Sequence, residues 1–259
     1  TRPVSTRPTG ARLSAPVSPL SLAAALALGA QVPWAAAQTV ITPLQGSAAT
    51  QTVVTSAGGV HKVTTATLRD GNAFNHLSEL KVGRGDTVGM VVPQGANWLV
   101  NVVRDGRIQV DGRLRGQLES GAVGGNLLFI DSHGFAVGPG GRVDAGRLVF
   151  AAPSAAFVDR LLGEGAGLSA GSVSGVLRGS FDRSSSGVVQ IDGEVHATDG
   201  VQIMAGEGAG AAQAVTVRGQ ISVSGRQGGA AVNVGGVRSL TPLVEHNGVI
   251  DITTPGNIL

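Results

Sequence analysis

Four aspartates, Asp111, Asp144, Asp192 and Asp251, each sit late in a short run of alternating β-branched residues. Carboxylates that recur at one point of a repeat can line up across neighbouring repeats. Such a column would hold calcium or supply the acid and base of glycoside cleavage. The glycines beside them favour the plainer reading, outward-facing turn residues. The five histidines, His61, His76, His133, His196 and His246, lack the spacing of metal ligands, so no zinc site is expected. The Gly-x-Gly-x-Gly runs at 163 to 167 and 206 to 210 lack the strand-then-helix context of a phosphate loop and read as loops. Arg84-Gly85-Asp86 spells the integrin-binding tripeptide, but in a chain with 41 glycines a turn at the start of a strand is the simpler account. No catalytic group, cofactor or metal is expected from this set.

The elements that would position these residues are short strands. Gly-x-[Val/Ile]-x-[Val/Ile]-x-Gly occurs at 106 to 112, 187 to 193 and 219 to 225, and in part at 141 to 145 and 248 to 252. In each copy two β-branched residues share one strand face, and the flanking glycines permit tight corners. A strand this short buries its face only by stacking on another, which predicts a β-solenoid. Composition agrees. Glycine at 41 of 259 residues argues against helix, since each interior glycine costs about 1 kcal/mol relative to alanine. Cysteine is absent, so disulfides hold nothing together. The net charge is +2 and no lysine-rich or basic-aromatic stripe occurs, which excludes a nucleic-acid surface.

Residues 1–37 read as a signal peptide: Arg2, Arg7 and Arg12, then the apolar run from Leu20 to Leu28, then Ala35-Ala36-Ala37 before Gln38. The apolar run is too short to span a membrane as a helix. The chain starts at Thr1 and stops at Leu259 soon after a strand, without a polar cap, so the natural protein is expected to extend beyond both ends.

Between Ala73 and Leu162 the sequence becomes specific. Ala73-Phe74-Asn75-His76-Leu77-Ser78-Glu79-Leu80 leads to Asp86-Thr87-Val88-Gly89-Met90-Val91-Val92-Pro93, and then to Trp98-Leu99-Val100-Asn101-Val102-Val103. Gly124-Gly125-Asn126, Phe129, Gly134-Phe135-Ala136-Val137-Gly138 and Gly141-Arg142-Val143 follow in fixed order. This succession resembles the N-terminal secretion domain of two-partner secretion exoproteins, the filamentous-haemagglutinin-like family, and its large leukotoxin-like adhesins. The resemblance implies a right-handed parallel β-helix, exported through the periplasm of a Gram-negative bacterium by a dedicated outer-membrane β-barrel partner. It implies a secreted or surface adhesin or haemagglutinin, directed at a host-cell surface or glycans, and not an enzyme.

The family commonly carries Asn-Pro-Asn-Gly where this chain has Asp131-Ser132-His133-Gly134, so only the glycine is retained. That departure weakens any transfer of a partner-binding role to Asp131, Ser132 and His133, while Gly134 is suited to a positive-φ turn. Asn126 matches a family asparagine; a buried amide that caps backbone groups between rungs is expected there, with direct contact to the secretion partner as the alternative.

On this reading residues 38–165 form the secretion domain and residues 166–259 continue the same solenoid. Val88, Met90 and Val92 alternate along one strand, and Trp98, Val100 and Val102 along the next, predicting a hairpin or neighbouring rungs. Ser154 caps a short helix to Leu162 on the flank, and small extra hairpins are expected. Gly187 to Gly206 makes one rung, with Val189, Ile191, Val195, Ala197, Val201, Ile203 and Ala205 inward and corners at Gly193 and Thr198-Asp199-Gly200. A β-helical polysaccharide-degrading enzyme, or an autotransporter passenger with its own downstream barrel, are the alternatives.

Overall fold

Short alternating strands with glycine corners pair side by side rather than folding back on themselves. The computed structural model describes residues 38–46, 50–163, 169–207, 214–224, 231–235 and 249–253, all within one unit, 36–259. The signal peptide expected at 1–37 lies outside the described residues, as does most of both glycine runs. The strands are β1 (Val40–Pro43), β2 (Thr52–Ala57), β3 (Val60–Thr65), β4 (Leu68–Arg69), β5 (Asn72–Val82), β6 (Thr87–Val92), β7 (Leu99–Val103), β8 (Ile108–Val110) and β9 (Arg113–Leu118). Then come β10 (Asn126–Asp131), β11 (Gly134–Val137), β12 (Arg142–Ala151), helices α1 (Ala155–Leu162) and α2 (Ala170–Leu177), β13 (Val188–Ile191), β14 (Glu194–Met204), β15 (Val215–Val217), β16 (Gln220–Val223), β17 (Ala231–Gly235) and β18 (Val249–Thr253). Apart from two short helices, the described residues are all-β.

The pairing is largely parallel and forms three ladders. The first runs from β5 through β7, β10 and the second half of β12 to the second half of β14. The second joins the end of β5 to β8, β11, β13 and β15. The third joins β3, β6, β9 and the first halves of β12 and β14 to β16. From β5 to β16 the chain visits first, second and third ladder in the same order on every circuit. On the first ladder β18 then pairs with β14, and β17 pairs outside β18, which reverses their chain order.

Among the described strands, antiparallel ladders are confined to the N-terminal end, with isolated antiparallel bridges at Gln117 to Val123 and Pro153 to Arg183. β1 and β4 each pair with β5, and β2 pairs with β3 through the two-residue turn Gly58-Gly59. Both glycines have positive φ, +54° and +76°, as a tight hairpin turn whose twist matches its strands requires.

The inward faces of the three ladders share one apolar core, and all seven inward residues expected between 187 and 206 lie in it. The amide of Gly206 donates to the carbonyl of Gly187, 2.7 Å away, which closes that circuit. Gly193 is a corner as expected. Thr198 to Gly200 is a corner too: β14 runs through it without a break, but its first half pairs on the third ladder and its second half on the first. The extra residue there is absorbed as a register shift against β12, where Ala145 faces Ala197 but Arg147 faces Gly200. The expected pairing of the Val88 and Trp98 strands fails. β6 belongs to the third ladder and β7 to the first, so consecutive strands occupy different walls.

Between β12 and β13 the chain leaves the ladders to form α1 and α2. Ser154 caps α1 as expected, its hydroxyl accepting from the Phe157 amide. Val158, Leu161, Leu162, Val173 and Val176 cover Val100, Val102, Leu128, Ile130 and Val149 on the outer face of the first ladder. Its central strands are therefore buried on both faces, and read as near-continuous apolar runs rather than alternation.

Candidate functional site

The Asp131 to Gly134 turn joins the first ladder to the second, between β10 and β11. Asp131 is fully buried. One carboxylate oxygen accepts from the amide of Ile108 on the preceding circuit at 3.0 Å. The other accepts from the His133 amide at 2.8 Å and lies 3.1 Å from His133 Nδ1. Burial pushes this carboxyl up to about 6, against the opposing pull of the His133 and Ile108 hydrogen bonds. Ser132 is buried too, and its carbonyl accepts from the Ser184 hydroxyl at 2.6 Å. Ser184 Oγ in turn accepts from the Gly187 amide at 2.9 Å, so it ties the returning helical excursion to the turn. Nothing periodic marks Ser184 in the sequence.

Gly134 has φ +100°, and a Cβ there would sit 2.0 Å from the Val188 carbonyl oxygen. Only glycine fits. His133 alone turns its side chain outward, at 46 % exposure.

Asn126 opens β10 and donates through Nδ2 to the Asn97 carbonyl at 2.9 Å. It does cap a backbone group between circuits, but it is half-buried rather than buried. Its position borders an open cleft with Pro93, Gln94, Leu118 and Glu119. Arg84 and Gly85 are exposed in the turn before β6. The Asp86 carboxylate is half-buried, accepting from Thr39 Oγ1 at 2.5 Å and lying 3.6 Å from His61 Nε2. The three groups singled out from sequence thus occupy three different corners of the circuit, and the structure does not bring them together.

The aspartates do not form a single column. Asp111 and Asp192 both follow strands of the second ladder and flank Gly138, and each accepts from a glutamine two residues earlier, Gln109 and Gln190. Asp144 lies instead on the outer face of the third ladder. It is buried, not an exposed turn residue, because Arg113 and Arg142 cover it with charge-assisted bonds at 2.8 and 2.9 Å. The side chain of Asp251 lies outside the described residues. The same face carries a polar chain that sequence reading missed. Ser222 Oγ bonds His196 Nδ1, His196 Nε2 lies 3.2 Å from Glu194, and Glu194 lies 3.0 Å from Arg142. Register creates it, because Ser222 faces His196 across 26 residues of chain. Among the described residues no three acidic or histidine side chains converge as a metal site.

The chain matches no family model and no curated protein.

Proposed function

We propose that this chain is the export-directing N-terminal region of a two-partner secretion exoprotein, wound as a right-handed parallel β-helix. A dedicated outer-membrane β-barrel carries it from the periplasm to the cell surface or medium, where the full protein adheres to host surfaces or glycans. The observation that carries this reading is the circuit itself: three parallel ladders visited in one unchanging order, starting from an antiparallel N-terminal cap. In such an array each circuit needs only the one before it as template, so the fold can grow as the chain emerges from a pore. Absence of cysteine removes any dependence on oxidative folding. The carboxylates that an enzyme reading would use are occupied by arginine or glutamine partners, which favours a binding role over catalysis.

Deleting the two-partner transporters of the source bacterium one at a time tests the reading. One deletion is expected to strand the chain in the periplasm, and secretion that survives every deletion overturns it. Within the candidate turn, His133→Ala takes the imidazole from the buried Asp131 carboxylate and Ser132→Ala removes a buried hydroxyl, so the double variant is expected to melt modestly lower, whereas Gly134→Val lowers stability and export together and by more. If the double variant stays folded and is exported normally, residues 132 and 133 are removed from the recognition surface.

A further inference from the structure

Among the described residues, the third ladder begins at an edge with no partner strand. β2 pairs with β3 alone among the described strands. In a hairpin closed by a two-residue turn, Ala57 and Val60 form a hydrogen-bonded pair, as do Thr55 with Lys62 and Val53 with Thr64. The backbone N–H and C=O groups of Thr52, Val54 and Ser56 therefore point away from β3. They form a free edge six residues long, without charge, proline or bulge to block further pairing. Val53 stands 55 % exposed on the outer face beside it.

We propose that this edge pairs antiparallel with the β2 edge of a second copy, about a two-fold axis at Val54. The register follows from the strand itself. With Val54 opposite Val54, Thr52 meets Ser56 and Val53 meets Thr55, so hydroxyl faces hydroxyl and β-branched residue faces β-branched residue. No charge opposes its like. Three hydrogen-bonded pairs supply about six backbone bonds, and the third ladders of the two copies become one sheet. A two-fold contact of this kind is self-limiting, because each chain offers one such edge at this end. Its small area makes it a reversible, concentration-dependent association rather than a permanent dimer.

Sedimentation velocity of the exported chain across a wide concentration range tests the proposal. Wild type is expected to dimerise as concentration rises. Ser56→Pro removes an edge donor while sparing the bonds to β3, and should weaken association at least about tenfold. Ser56→Ala loses the same contact with His61 but keeps the edge, and should dimerise normally. Val53→Lys is a second probe on an exposed position, so it leaves the hairpin intact. The two ammonium groups become diagonal neighbours across the axis, and dimerisation should fall at low salt and return when Val53→Lys is mixed with Val53→Glu. Wild type that stays monomeric throughout overturns the proposal, including the case in which these variants instead impair binding of a foreign strand. A dimer indifferent to Ser56→Pro and Val53→Lys overturns it equally.

Discussion

Asp131 places an ionisable group in a fully buried position, where its carboxylate makes three contacts. Its carboxyl is pushed up to about 6 from 3.8, so the folded chain holds that proton more tightly than the unfolded chain does. The stability this group contributes is complete below about pH 4 and is lost as pH rises through about 6, a loss of about 3 kcal/mol. Asp131→Asn is expected to remove that component. Denaturant titrations from pH 4 to 8 should show wild type losing stability relative to the variant as pH rises. Parallel curves for the two would contradict the placement of the carboxylate. The variant should also be weaker than wild type near pH 5, because Asn turns an amide donor toward either the Ile108 or the His133 N–H. At this scale the sequence was partly legible. The glycine of the turn announced a special backbone, but the burial of Asp131 and the anchoring by Ser184 depend on residues 23 and 52 positions away.

Strands and helices were legible in different degrees. The inward phase from Val189 to Ala205 could be read because one face is core and the other is polar, which forces alternation. β7 and β10 hid their phase because α1 and α2 bury the other face as well. α1 declared itself through a capping serine and apolar spacing. α2 did not, since Gly171 and Gly175 lie within it and its helicity rests on packing of Val173 and Val176 against the ladder. Val176→Asp is therefore expected to cost about 3 to 5 kcal/mol by burying a charge without a partner. Ala156→Asp, exposed in the first turn of α1, should stay within about 0.5 kcal/mol of wild type. Equal losses in chemical denaturation would mean that α2 does not cover the first ladder.

Across the whole molecule, one inward column of the first ladder changes character from end to end. Asn75, Asn101, Phe129, Phe150 and Ile203 are successive register partners. Near the cap the column is polar: Thr52 donates to Asn75, and Asn75 Nδ2 donates to Asn101 Oδ1 at 3.0 Å. Asn101 then donates to the carbonyls of Leu99 and Leu128 at 3.1 and 3.4 Å. Further on it is aromatic, with Phe135 stacked 4.5 Å from Phe150. The buried amides link three successive circuits, so Asn101→Ala is expected to cost about 2 to 3 kcal/mol, and a double-mutant cycle with Asn75→Ala should show coupling of about 1 kcal/mol or more. Additive losses would show that the two amides do not bond.

The strand repeats, the absence of cysteine and the glycine corners determined by themselves that this is an all-β chain of stacked short strands. Those properties follow from side-chain period and backbone sterics within a few residues. Which strands are neighbours, which aspartate is buried, where the helices lie and which edge stays open were decided only by tertiary structure. Parallel pairing joins residues about 20 to 50 positions apart through backbone bonds that carry no side-chain signature, and burial depends on what the next circuit lays over each face.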